Sequence, residues 1–511
     1  MQELAKQEEI GRTLASEKFP NNMDGFWFSI RPDIVTNPFD FVTVKHIFDT
    51  KTVGMIKELQ AVDEAGVAAR VVVMTNTGVG SKLGGGKNIP VSMPVGANKP
   101  VRFATEKEVV LALGIPEMEK PVPAGVIEMT NGLRVPVSLD ISYLLGPDTA
   151  HVNAAGISGN LKTSYLFFLL QSVYQQFAKD NMAIIIFNTK EDDLLHIDEE
   201  RKAKKATKKM LDLLDLDLKP FDNVTYFLPR GSDGKPNSAF VPKNAKTYSF
   251  ELEDVYDRLD LLFSGSYEDS VSPMLNHVYE AWPLAAGNER VRTWTDLLEF
   301  RGYPREIIAH KSTLLHFLGH IQRFRRSPLF IDKKKSSTYI GKEISKIKPG
   351  DVFVIDIAMI PTVEEQGFVV GDTMKSIDEL YAARQAGEKR PQYILIFIDE
   401  INRFVPRSGD RKKSAVAEQV MRTVITGRSR GTILFSAQQF KSTVDPALHE
   451  GTGMHIMAKL GQSELSSPPY SMLDESTKMN IVRLNRGELV MVHPAFRHPI
   501  KIMFPKAPFK G

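Results

Sequence analysis

The 511-residue chain contains no cysteine. Disulfides, cysteine-ligated zinc and thiol catalysis are therefore excluded. It also lacks any apolar run approaching the ~20 residues of a membrane-spanning helix. The longest runs, such as Tyr393–Ile398, are strand-sized. Met1 to Pro20 mixes charges with no apolar stretch, so no secretory leader is expected. An excess of either charge is missing too: 65 Lys+Arg against 62 Asp+Glu leave a net charge of +3. That balance gives no general argument for nucleic acid, although a local ring of basic loops would not register in the total. With 42% hydrophobic and 25% charged residues the composition is that of a globular protein, and the length suffices for two or three domains. A cytoplasmic protein without a membrane partner is the expectation.

What is present centres on His151-Val152-Asn153-Ala154-Ala155-Gly156-Ile157-Ser158-Gly159-Asn160-Leu161-Lys162-Thr163-Ser164. A short apolar run ends in a loop with two glycines, then a lysine and hydroxyl residues, then a helical pattern from Tyr165 to Phe177. A phosphate needs converging backbone N–H groups, a helix N-terminus aimed at it and a nearby cation. Gly156 and Gly159 would allow the tight turn, with the loop from Ser158 to Ser164 around the phosphates. Lys162 would reach the β- and γ-phosphates and Thr163 would hold Mg²⁺. The pattern asks for glycine before the lysine, and Leu161 stands there.

Between Gly11 and Met74 short β-like runs recur at regular spacing (Gly25–Ile30, Asp40–His46, Thr52–Glu58, Ala69–Met74), the signature of a small barrel. Gly84-Gly85-Gly86-Lys87 lies in a segment, Gly78–Pro100, that has neither the leading strand nor the following helix of a phosphate loop, and reads as a mobile loop. Thr130-Asn131-Gly132 between two apolar runs predicts a hairpin, with Pro136 marking an edge position.

After the phosphate loop, strands are predicted at Ala183–Phe187, Val224–Leu228 and Asp351–Ile357, and a largely helical insertion over 251–348. Lys202, Lys204, Lys205, Lys208 and Lys209 read as a solvated helix face. Tyr393–Ile398 followed by Asp399-Glu400 supplies the second half of a nucleoside-triphosphatase site. Asp399 would hold the Mg²⁺ water shell, and Glu400 would accept a proton from the attacking water. Thr432–Phe435 leads to Ser436-Ala437-Gln438-Gln439, where Gln438 could sense the γ-phosphate. Arg428, in Thr426-Gly427-Arg428-Ser429-Arg430-Gly431, could reach a neighbouring subunit's nucleotide.

The chain resembles the HerA family of hexameric ATPases, within the wider HerA/FtsK group of DNA pumps. The resemblance rests on Gly11-Arg12 and Glu17-Lys18-Phe19-Pro20, Val137-Ser138-Leu139-Asp140 with Leu144-Leu145-Gly146, and Ile398-Asp399-Glu400 with Arg403-Phe404. Gly427-Arg428, Ser436-Ala437-Gln438, Val444-Asp445-Pro446 and Arg486-Gly487-Glu488-Leu489 complete it. It implies an α/β fold: a RecA-like P-loop core (146–250 and 349–511) with the helical insertion, preceded by a barrel called the HAS barrel with its hairpin (1–145). It further implies a homo-hexamer with double-stranded DNA in its channel, ATP at subunit interfaces, and a NurA-like nuclease or sirtuin-like effector as partner, in DNA processing or anti-phage defence. Arg407, Arg411, Lys412 and Lys413, just after the acidic pair, are candidate DNA contacts, with a solvated loop as the slightly favoured alternative. Besides Leu161, Asp148-Thr149-Ala150 departs from the family by lacking an arginine before the loop strand, so slow hydrolysis is compatible with the sequence. A ring scaffold that binds nucleotide and regulates an effector is the alternative to a motor. A conjugation or secretion ATPase would need a membrane partner that nothing in the sequence indicates.

Overall fold

A computed structural model describes residues 8–46, 50–62, 66–77, 93–157, 159, 162–263, 266–287, 289–304, 307, 311–333, 336–382, 390–407, 413–507 and 509. The predicted barrel is there. Strands β1 (Gly11–Leu14), β2 (Gly25–Ile30), β3 (Phe41–Lys45), β4 (Lys51–Val62), β5 (Gly66–Thr77) and β6 (Pro100–Phe103) close in the order β1-β2-β5-β4-β3-β6. β4 and β5 run well beyond their predicted bounds, with register shifts at Val53/Gly54 and Ile56/Glu58 that bend the long ribbon into the barrel wall. Phe26, Phe28, Val42, Val71 and Val101 fill the interior. The Gly84–Lys87 segment lies outside the described residues.

The second unit is a twelve-stranded sheet. Its strands are β7 (Pro121–Glu128), β8 (Arg134–Asp140), β9 (Val152–Ala155), β10 (Met182–Asn188), β11 (Val224–Pro229) and β12 (Ala245–Tyr248). After a small hairpin, β13 (Ala285–Ala286) and β14 (Glu289–Arg290), come β15 (Val352–Asp356), β16 (Tyr393–Ile398), β17 (Thr432–Gln438), β18 (Met454–Met457), β19 (Glu488–Val492) and β20 (Ile500–Met503). The order is β12-β11-β15-β10-β16-β17-β9-β18-β19-β20-β7-β8. From β12 to β18 neighbours are parallel; from β18 to β8 they are antiparallel. The hairpin predicted at Asn131-Gly132 thus forms, and extends this sheet rather than the barrel. β8, with Pro136, is its edge, where a missing N–H is tolerated.

The central strands are buried on both faces, which explains their near-continuous apolar sequences. The helix Lys162–Asn181 covers one face, packing on Ile184, Ile186 and Phe397; helices Val363–Ala382 and Ala415–Arg430 cover the other, over Ile185, Ile396 and Leu434. The fold is α/β, a largely parallel sheet with helices on both faces, and β17 lies between the loop strand β9 and the acidic strand β16. Among the described residues no helix is long and apolar enough to cross a membrane.

The predicted insertion is mainly helical (Leu252–Val255, Ser266–Glu280, Trp294–Glu299, Lys311–Phe324, Ile340–Ile344) and packs on the second face. A buried ion pair pins it. Arg258 donates from Nη1 to Asp372 Oδ1 at 2.7 Å and to Ser376 Oγ at 2.7 Å, and Tyr339 O–H donates to the same Asp372 oxygen at 3.0 Å. Burial pushes the Asp372 carboxyl up, to about 6, against the pull of Arg258. Removing one partner of such a pair strands the other charge. Arg258→Met is therefore expected to lower unfolding free energy by about 3–5 kcal/mol in urea titration, with much of the loss restored by adding Asp372→Leu.

The barrel is fastened to the sheet unit through Lys57, a buried lysine whose Nζ meets Asp474 Oδ2 at 2.7 Å and Thr477 Oγ1 at 2.5 Å, with Arg497 pairing Asp24 at 2.8 Å.

Candidate nucleotide site

β9 is short and fully buried, and its end is gripped from two sides. Gly156 N–H donates to the Gln439 carbonyl at 3.3 Å, and Ile157 N–H to the Lys459 carbonyl at 3.1 Å. A Cβ on Gly156 would sit 2.6 Å from the Ala458 Cβ, so only glycine fits this approach. Gly159 takes φ +82°, the left-handed region open to glycine. Ser158, Asn160 and Leu161 lie outside the described residues. The helix begins at Lys162, which is buried; Thr163 and Ser164 follow, half-buried, in its first turn.

Across β17, the tip of β16 brings Asp399 and Glu400 to the same place. Thr163 Oγ1 donates to Asp399 Oδ2 at 3.1 Å. Glu400 N–H donates to Asp399 Oδ1 at 2.9 Å. Both carboxylates are almost fully buried. Glu400 adopts φ +52°, costly for a side-chain-bearing residue and typical of positions held by their surroundings for a task. The Lys162 ammonium is pushed down by burial, against the pull of Asp399 and Glu400. Lys162, Thr163, Asp399 and Glu400, remote in sequence, thus share one pocket. A hydroxyl touching a carboxylate is a hard-oxygen donor pair, the chemistry that suits Mg²⁺. The residues present fit that ion, which Thr163 and Asp399 would hold.

The sequence did not single out Lys190. It follows β10, the neighbour of β16, and its Nζ lies 3.0 Å from Asp399 Oδ2 and 3.0 Å from Glu400 Oε1. Burial opposes its charge, but the two carboxylates outweigh burial and raise its pKa. The signal was the polar run Asn188–Asp193 at a strand's C-terminal end, where ligands meet parallel sheets.

The Gln438 amide is fully buried and paired twice with Asn153. Gln438 Nε2 donates to Asn153 Oδ1 at 2.8 Å, while Asn153 Nδ2 donates to Gln438 Oε1 at 2.8 Å and to Ser436 Oγ at 2.9 Å. The pairing follows from register, since Ser436 and Asn153 face each other on β17 and β9. The half-buried neighbour Gln439 is the residue whose carbonyl touches the phosphate loop.

Thr426–Arg430 is the last turn of the helix Ala415–Arg430, closed by Gly431 at φ +82°. Arg428 is exposed and donates to the Asp148 carbonyl at 3.2 Å, at the opposite ends of the strands from Asp399. Arg430 pairs with Asp378 at 3.1 Å. Of the loop after the acidic pair, Arg407 is exposed and Lys413 is held by Asp445 at 2.9 Å; Arg411 and Lys412 lie outside the described residues. The helix Lys205–Leu213 exposes Lys205, Lys208 and Lys209, the solvated face that was predicted.

No family model matches the chain, and no curated protein matches it by sequence. Among solved structures it is similar to VirB4 of Thermoanaerobacter pseudethanolicus, at 14% identity over 76% of this chain and 97% of that one, with a TM-score of 0.46. It is also similar to the bacterial conjugative coupling protein TrwBΔN70 in its unbound form, at 14% identity over 75% and 89%, TM-score 0.44. The plasmid coupling protein TrwB in complex with ADP and Mg²⁺ matches at 12% identity over 69% and 85%, TM-score 0.39.

Proposed function

We propose that the chain is an ATP-driven motor that moves double-stranded DNA as a HerA-like homo-hexamer. The observation that carries the reading is the convergence of Lys162 and Thr163, at a helix N-terminus behind a glycine loop, on Asp399 and Glu400. Backbone N–H groups and the helix dipole there favour phosphates, with Lys162 as the cation. Mg²⁺, when bound, supplies charge neutralisation on the phosphate oxygens. Glu400 orients and deprotonates the attacking water. Arg428, exposed at the far end of the strands and beside the Asp148 carbonyl, is the proposed contact to a neighbouring subunit's nucleotide. The DNA grip would be electrostatic and sequence-independent, with Arg407 as its exposed candidate. The effector partner, a nuclease or another enzyme, rests on the family resemblance alone.

The second reading is a nucleotide-binding ring scaffold with little turnover. What favours it is that Glu400 is held by Lys190 and Gln438 by Asn153, so neither is free toward a γ-phosphate. ATP turnover measured with and without duplex DNA separates the two. The motor gives turnover raised by duplex, and duplex affinity that falls linearly with log salt. ATP bound without turnover in either condition favours the scaffold. No ATP binding at all overturns both.

A further inference from the structure

The acidic pair already has a cation. Asp399 Oδ2 accepts from both the Thr163 hydroxyl at 3.1 Å and the Lys190 ammonium at 3.0 Å, and its Oδ1 accepts from the Glu400 N–H. The same ammonium takes Glu400 Oε1 at 3.0 Å. The Asp399 oxygen beside Thr163, where a divalent ion would be held, thus carries Lys190. Two adjacent buried carboxylates repel each other, and one ammonium between them removes most of that cost. Yet Lys190 is no buried strut. Its side chain is 41% exposed and its long flexible stem can swing out.

We propose that Lys190 is a resident counter-cation that competes with the nucleotide's divalent ion for Asp399 and withholds Glu400 while it does so. It is a positioning residue: it acts through the acidic pair, and it must release Asp399 before the pair can serve a bound triphosphate. The inference rests on the ATP reading above. It implies that this chain takes its metal more weakly than its oxygen donors alone would allow. Displacement of Lys190 from Asp399 then couples metal binding to the release of Glu400.

The test is a Mn²⁺ titration, followed by the electron paramagnetic resonance of free Mn²⁺, on the full chain with saturating ADP. Lys190→Met is expected to bind Mn²⁺ about tenfold tighter than wild type. Lys190→Arg, which keeps the charge, is expected to stay near wild type. A strut lost from the site would loosen metal binding, so the sign discriminates. Unchanged or weaker Mn²⁺ binding by Lys190→Met, with ADP still bound by wild type, overturns this proposal alone. Failure of wild type to bind ADP overturns the ATP reading and this proposal with it.

Discussion

Glu400→Gln is expected to lower ATP turnover by roughly 10²–10⁴-fold while leaving ATP bound, because it removes proton acceptance and little else. Glutamine keeps the shape of the side chain and an acceptor oxygen for Lys190, so the loop around φ +52° has no reason to rearrange. Lys162→Ala should give the opposite signature, loss of binding itself, since it removes the cation at the helix N-terminus. The pair of variants is read by fluorescent-nucleotide binding beside phosphate release. A Glu400→Gln protein that still turns over at the wild-type rate would remove Glu400 from the mechanism. A Lys162→Ala protein that binds ATP normally would remove the loop.

The second large effect is acid lability. Burial holds the imidazoles of His151, His449 and His493 well down, each to about 4 against an ordinary 6.5. In two of them the nitrogen that would take the proton is already an acceptor. His151 Nδ1 accepts from Leu434 N–H at 3.0 Å, and His493 Nδ1 accepts from Ala495 N–H at 3.1 Å. Below pH 6.5 the unfolded chain binds protons that the folded chain refuses, so stability falls as pH falls, across the window from 6.5 to about 4. Each histidine costs about 3 kcal/mol once both states have been traversed. Three together rival the whole ~5–15 kcal/mol stability of an ordinary domain. Urea midpoints are expected to drop steeply between pH 6.5 and 4.5, with unfolding before pH 4. Midpoints flat across that window would show that these rings protonate freely in the folded chain.

The strands were legible in the sequence because burial on both faces forces unbroken apolar runs, as in Tyr393–Ile398 and Ala183–Phe187. The hairpin was legible because Asn131-Gly132 is local turn chemistry. What stayed hidden needed knowledge of who sits beside whom. Gln438 looked like an amide at a strand tip; only the β9–β17 register reveals that Asn153 consumes it. Lys190 was one polar residue among several, and only the adjacency of β10 and β16 puts it on the acidic pair. Gly427 is a helix residue kept small by a neighbour that only the fold supplies: a Cβ there would meet the Thr432 carbonyl at 2.2 Å.

The pairing of β20 with β7 has a consequence for biosynthesis. The barrel can close as soon as β6 emerges, since all six of its strands precede residue 104. The hairpin β7–β8 stays uncovered far longer, because the strand that covers β7 is Ile500–Met503. At ribosomal rates of about 5–20 residues per second, β7 waits roughly 20–75 s with one edge bare. A bare edge is a template for pairing with another chain. Until β20 is made, the nascent chain thus carries an aggregation hazard along β7, and that is where a chaperone would be needed.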